Sequence, residues 1–444
     1  MSLVPLERLA AALKRAEPLP LQGRVLRATG LVVEATLPRV PVGTSCEIKV
    51  DGERRVPAEV VGFSGATALL MPFGEMQGIC EGCPVIPRDS AAEVPVGEAL
   101  LGRVVDAGMR PIDGSLAPRL EARAALNGRP PPAMRRRRIS QPLGLGLKSL
   151  DTLLTVGEGQ RLGVLAGPGV GKSVMLGMVA RHASADVIVV ALVGERGREV
   201  REFVERDLGD GLARAVVVVA TADEPPLVRV RAAMAATSVA EHFRAKGQKV
   251  LLLVDSLSRV CMAQREIGLA AGEPPTSKGY PPSVFAMMPR LVERAGNDEG
   301  PGSITALYTV LAEGDDLTDP VVDAAKAILD GHVVLSRRLA GAGHFPAIDV
   351  LQSVSRVMSD VATPQHLELA RAARDVLATY RESADLVEVG AYVHGTNPRL
   401  DHALKCINAL NGFLKQGPDE HFTLPEALEQ LSRALGAAGE VPRA

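Results

Sequence analysis

The spacing of apolar residues changes character three times along the chain. In residues 3–16, Leu6, Leu9, Ala10 and Leu13 fall on one stripe at helical spacing, which predicts a short amphipathic helix. The pattern is compatible with a helix packed on its own domain and with one that docks on a partner. From about 22 to 90 the chain turns to short β-type runs, Arg24–Ala35, Cys46–Val50, Pro57–Phe63 and Thr67–Pro72, split by turn residues. Several short strands this close together predict a small antiparallel barrel. A Pro- and Gly-rich transition at 90–145 follows. Beyond it, strand-like runs alternate with helical stretches: Arg161–Ala166, Val187–Gly194, Ala215–Thr221, Val250–Asp255, Ile304–Leu311 and Val333–Ser336. Several of these are apolar throughout, as strands covered on both faces are, so a helix-covered, mostly parallel sheet is expected. After about 365 the stretches His366–Glu382 and Pro398–Gln416 read as helices without comparable strands. The fold class is α/β with two appended domains, and the expected divisions are 1–20 (helix), 21–92 (barrel), 93–362 (α/β core) and 363–444 (helical domain).

Composition narrows the function classes. With 444 residues, 46% hydrophobic and 23% charged, the chain has the make-up of a globular protein of about three domains. Lys+Arg 50 against Asp+Glu 52 leaves a net charge of −2, without the basic excess of nucleic-acid or anionic-membrane binders. Aromatics are 3% with no Trp, a poor supply of base-stacking platforms. No apolar run reaches the roughly 18 residues of a membrane span, and Glu7, Arg8, Lys14 and Arg15 interrupt the N-terminus, which is not read as a signal peptide. Five cysteines suit a reducing compartment. Cys80 and Cys83 form a CxxC, but no second pair completes a zinc site and no strand-to-helix setting suggests a thioredoxin-like motif. They are expected to be incidental thiols. The run Arg135–Arg138 is expected to be a solvated linker face or an inter-subunit salt-bridge site. No HExxH or calcium-loop pattern occurs, and the eight histidines are scattered.

The most informative segment is Arg161-Leu-Gly-Val-Leu-Ala-Gly167-Pro168-Gly169-Val170-Gly171-Lys172-Ser173, followed by the helix-compatible VMLGMVARHA. A strand, a glycine-rich turn and a helix stand in the order that a phosphate-binding loop requires. Backbone N–H groups of Gly167–Gly171 would turn inward around a phosphate at the positive end of the helix. Lys172 would reach the β- and γ-phosphates, and the Ser173 hydroxyl would bind Mg²⁺. The usual motif opens with Gly where this chain has Ala166; a methyl group costs little there if φ is negative. KVLLLVD delivers Asp255 to the end of an apolar strand, to hold Mg²⁺ through water. VIVVALVG delivers Glu195 to the same edge, where a carboxylate would polarise the attacking water.

Taken together, AGPGVGKS, GERGREV, VDSLSRVCMAQREIGLAAGEPPTSKGYPPSVF and EGDDLTDPVVDAAKAILDGHVVLSRRLAGAGHFPAIDVLQSVSRVM resemble the export ATPases of bacterial flagella and type III secretion systems, themselves similar to rotary ATP synthase catalytic subunits. The resemblance runs from about residue 20 to 430. It implies an N-terminal β-barrel, a RecA-like ATPase core and a C-terminal helical domain. It implies that Glu195 is the catalytic glutamate, that Lys172, Ser173 and Asp255 are the phosphate and magnesium residues, and that Arg196 and Arg259 lie near the γ-phosphate and the catalytic carboxylate. It further implies that Arg356 is an arginine finger lent by the neighbouring subunit and that Phe345 stacks on adenine. Ser258-Arg259-Val260 departs from the family's more frequent Thr-Arg-Phe.

The same resemblance implies ATP and Mg²⁺ as ligands and a homohexamer. It implies a stator-like regulator on the N-terminal helix, and a central stalk and chaperone–cargo complexes at the C-terminal domain. A membrane export gate at the inner membrane completes the expected setting of a cytoplasmic protein. Two other machines share this chemistry: a rotary synthase subunit and a ring-shaped RNA translocase. TADEPPLVRVRAAMAATSVAEHFR leans toward the flagellar type. Asp315 and Asp316 are expected to be a loop feature without an assigned role.

Overall fold

The computed structural model describes residues 22–51, 54–88, 92–312 and 318–436. The helix expected at 3–16 and the Asp315–Asp316 pair lie outside them. The described chain divides into two compact units, one holding the barrel and the other the rest of the fold apart from two short inserts.

In the first unit, β1 (Gly23–Thr29), β2 (Val32–Thr36), β3 (Ser45–Lys49), β4 (Arg55–Ser64), β5 (Thr67–Pro72) and β6 (Pro84–Pro87) close an antiparallel barrel in the order β1-β2-β5-β4-β3-β6. The run Arg24–Ala35 expected as one strand is two, because Gly30 adopts φ 59° and turns the chain between them. Alternation directs Val33, Ala35, Cys46, Ile48, Val56, Ala58, Val60 and Val85 inward, where they form a separate apolar core.

The second unit is built on a nine-stranded sheet. A separate two-stranded ribbon pairs β7 (Glu93–Val96) with β9 (Ala122–Ala125). The sheet holds β8 (Arg103–Asp106), β10 (Arg161–Ala166), β11 (Val187–Val193), β12 (Ala215–Ala220), β13 (Lys249–Asp255), β14 (Gly296–Asn297), β15 (Ser303–Leu311), β16 (Gly331–Leu335) and β17 (Val354–Ser355). The order is β17-β16-β10-β15-β13-β11-β12-β8, parallel from β16 to β8, with β14 and β17 antiparallel additions at their neighbours. Every residue of β11 and β12 is buried, as their unbroken apolar runs require. β8 escapes the sequence pattern because only Val104 and Val105 mark it.

The C-terminal helices are Pro364–Glu388, Pro398–Leu414 and Leu424–Ala434. Ala403, Ile407, Leu410, Phe413 and Leu431 share one apolar core with Leu147, Leu150 and Val179 of the nucleotide-binding half. The arginine run is engaged with its own chain. Arg136 donates to the carbonyls of Glu293 and Ala295, Arg137 to those of Pro301 and Gly302, and Arg135 pairs with Glu299. Among the described residues no helix is long and apolar enough to cross a membrane.

Candidate active site

Three parallel strands bring the predicted residues together at one edge. β10 ends at Ala166, a strand residue outside the left-handed region, so the methyl group that replaces the usual glycine is accommodated. Gly169 and Gly171 adopt φ 75° and 82°, where only glycine is unstrained, while Val170 is buried and anchors the loop to the core. The helix Lys172–His182 starts directly after, so its unpaired N–H groups and positive end face the loop. Pro168 and Ser173 are exposed at this edge.

Lys172 Nζ lies 2.6 Å from Asp255 Oδ1 and 3.2 Å from Glu195 Oε1. Asp255 is the last residue of β13 and Glu195 follows β11, its direct neighbour in the sheet, which explains how residues 60 positions apart meet. Gly194 makes the turn between β11 and Glu195 at φ 73°. A Cβ there would come within 2.9 Å of Arg259 Cβ, so the glycine is needed for its conformation and for the Arg259 stem packed on it. The Arg259 Nε is buried without a hydrogen-bond partner among the described residues. Sequence reasoning missed Thr309, whose hydroxyl donates to Asp255 Oδ1 at 2.6 Å from β15; a threonine in the apolar run SITALYTVL was the available signal.

The electrostatics follow from burial of one cation between two carboxylates. Burial disfavours the Lys172 charge, but Asp255 and Glu195 outweigh it and hold its pKa above the ordinary value. Burial pushes the Glu195 carboxyl up, Lys172 opposes this, and Asp255 and Glu199 add to it. The Ser173 hydroxyl and the Asp255 carboxylate are hard oxygen donors, the type Mg²⁺ takes while keeping water and phosphate ligands. Among the described residues no group of three His, Cys, Asp or Glu is placed to hold a metal unaided.

The other predicted residues are distributed differently. Phe345 is 45% exposed, and its ring lies against the phosphate loop, 3.3 Å from where a Cβ on Gly171 would sit. Its carbonyl accepts the backbone N–H of Gln416 at 2.9 Å. Gln416 is a residue the sequence reading passed over as the end of a helix. It is buried; its amide accepts from the Lys148 N–H and donates to the Gly146 and Glu420 carbonyls. Arg196 is exposed at the N-cap of the helix Gly197–Glu202, 3.8 Å from Glu199, and does not join the Lys172 cluster. Arg356 is also apart from it. Its N–H donates to the Asp330 carbonyl beside Arg161, where β10 begins, whereas the phosphate loop leaves the far end of β10. Five strand steps, about 16 Å, separate the two ends. The Arg356 guanidinium is exposed and donates to the Lys326 carbonyl.

Known proteins match this arrangement over most of the chain. Residues 25–88 match the β-barrel domain and 146–355 the nucleotide-binding domain of the ATP synthase alpha/beta family, and 362–433 match the T3SS EscN ATPase C-terminal domain. The flagellum-specific ATP synthase of Bacillus subtilis is 50% identical over 93% of this chain and 95% of its own length. The chain belongs to the flagellar and type III secretion ATPase family. The type 3 secretion system ATPase of Sinorhizobium fredii is 48% identical over 95% of this chain and 93% of that relative. The assembled ATPase EscN of enteropathogenic E. coli, solved in complex with its central stalk EscO, superimposes with a TM-score of 0.86. It is 41% identical, over 93% of this chain and 100% of EscN. The C-terminal match is to the secretion ATPases of this family, which sets aside the rotary synthase subunit and the RNA translocase.

Proposed function

We propose that this chain hydrolyses Mg²⁺–ATP in a homohexameric ring and so energises protein export through a flagellar or type III secretion apparatus. The observation that carries the reading is the Lys172 ammonium held against Glu195 and Asp255 behind a phosphate loop. In the proposed reaction the backbone N–H groups of Gly167–Gly171 and Lys172 bind the phosphate tail, and Phe345 packs on the base. Ser173 and Asp255 would hold Mg²⁺, whose charge offsets that of the phosphates. Glu195 accepts a proton from the water that attacks the γ-phosphorus. Arg356 of the next protomer neutralises charge developing on the transferred phosphoryl group. Arg259, whose stem packs on Gly194 next in sequence to Glu195, and Arg196 at the N-cap of the adjoining helix are assigned supporting roles around that charge. Purified protein without a second type of subunit is expected to release phosphate from ATP in the presence of Mg²⁺; no turnover would overturn the reading.

Export as the coupled process, the central stalk and chaperone–cargo partners at the C-terminal domain, a regulator at the N-terminal segment and a gate at the inner membrane are proposed from family membership. A cytoplasmic location at that membrane belongs to the same proposal. Nucleic acid is not a proposed partner.

Two consequences concern the site directly. Because burial raises the Glu195 pKa, protonation starts to remove the base at a higher pH than for an ordinary glutamate. The acid limb of kcat/KM is therefore expected above about 4.3, and a limb at or below that value contradicts the assignment. Gln416→Met keeps the volume but loses three hydrogen bonds that fix the backbone holding the Phe345 loop. At about 1–2 kcal/mol, KM for ATP is expected to rise about tenfold with kcat nearly unchanged. Steady-state kinetics on folded protein check this; a fall in kcat with KM constant speaks against a base-end role.

A further inference from the structure

The turn between β5 and β6 carries Cys80 and Cys83 with their sulfur atoms 3.1 Å apart. Nothing in the ATPase chemistry uses them. The turn is well defined by its own hydrogen bonds. The Cys83 N–H donates to the Cys80 carbonyl, and the Cys80 N–H points to Cys83 Sγ at 3.4 Å. Gly82 donates to the Val25 carbonyl and Val25 to the Cys83 carbonyl, which fastens the turn to β1. Gly78 and Gly82, at φ 84° and 82°, supply the backbone conformations that bring the two side chains to one side.

The two thiols are unequal. Cys80 is exposed, whereas Cys83 is 4% exposed and part of the barrel core. An accessible thiol in front of a shielded one is the arrangement that lets a first sulfur be attacked from solution and a second resolve the product. The remaining cysteines are all buried. Burial pushes the Cys46 thiol up to about 11 and Cys261 higher still, which keeps both in the unreactive thiol form. A metal reading of the CxxC lacks a further ligand, since no group of three suitable side chains is present among the described residues.

We propose that Cys80 and Cys83 are a thiol–disulfide exchange site, converted to an intramolecular disulfide by a small-molecule disulfide of the glutathione type. The Cys80 thiolate attacks one sulfur of the small disulfide, forming a mixed disulfide and releasing one small thiolate. Cys83 then gives up its proton and attacks Cys80 Sγ, forming the internal bond and displacing the second thiolate. Two protein thiols are oxidised and one small disulfide is reduced to two thiols, so electrons and protons balance. The sulfurs need to close by about 1 Å to reach bonding distance. Cys80 is not a pre-activated nucleophile, because its hydrogen bond to Cys83 raises its pKa, so the first step is the slow one.

The test uses the full-length reduced protein, equilibrated with excess oxidised glutathione, quenched, alkylated under denaturing conditions and measured by mass spectrometry. Three of the five cysteines are expected to take the alkylating label, with Cys80 and Cys83 joined in one peptide, and excess dithiothreitol is expected to restore all five. Cys83→Ser is expected to stop at a stable glutathione adduct on Cys80. Cys80→Ser, at an exposed position that leaves the barrel core intact, is expected to acquire neither the adduct nor the bond. Five labelled cysteines in oxidised wild-type protein, or an adduct on Cys80 that Cys83 does not resolve, would overturn the proposal.

Discussion

Glu195→Gln is expected to lower ATP turnover at saturating nucleotide by about 10²–10⁴-fold, the usual worth of a positioned general base. Glutamine keeps the shape of the side chain and its place after Gly194 but cannot accept a proton from water. The loss corresponds to about 3–5.5 kcal/mol of transition-state stabilisation. Nucleotide binding is expected to persist. Lys172 keeps Asp255 as its closer partner at 2.6 Å, and one negative charge near the phosphate tail is removed. Single-turnover hydrolysis alongside fluorescent-nucleotide titration separates the two quantities. Wild-type turnover in the variant would remove Glu195 from the chemistry.

Arg356→Ala is expected to cost more, about 10³–10⁵-fold, the range for an arginine finger, or about 4–7 kcal/mol. Affinity for ATP is expected to change little, because Arg356 belongs to the opposite edge of its own sheet and makes no contact with its own phosphate loop. Its side chain holds one carbonyl, that of Lys326, and the alanine keeps the backbone bond to Asp330, so the substitution leaves the α/β core intact. A drop of less than about tenfold at saturating ATP would exclude the finger role. Circular dichroism on the same preparation guards against a folding defect.

Much of this site was legible in the sequence because its parts sit at strand ends. An apolar run that terminates in Asp255, and another that terminates in Gly194–Glu195, state both the strand and the edge at which a ligand is met. Barrel and core were legible from comparably local signals: short β-type runs split by turn residues for the barrel, unbroken apolar runs for β11 and β12. What escaped was whatever depends on distant chain meeting without a periodic signal. Gln416 looks like the polar end of a helix and is in fact a buried three-way junction. Thr309 looks like a strand residue and positions Asp255. β8 is too short to show a period, and Gly30 divides a run that hydropathy joins. The contact between the Cys80 and Cys83 sulfurs also escaped, because spacing alone does not say that two sulfurs face each other. Their contact exists because two left-handed glycines and a pairing to β1 shape the turn.

The central claim is that one active site is assembled from two protomers: Lys172, Glu195 and Asp255 from one and Arg356 from the next. Mixing two separately inactive variants, Glu195→Gln and Arg356→Ala, tests it most directly. In a ring of heterologous contacts, an Arg356→Ala protomer supplies an intact carboxylate and a Glu195→Gln neighbour supplies an intact guanidinium, so about a quarter of interfaces in an equal mixture regain a complete site. Recovery of phosphate release well above the sum of the two variants measured alone is the predicted result. A mixture no more active than that sum, with assembly into mixed rings verified, would contradict the account.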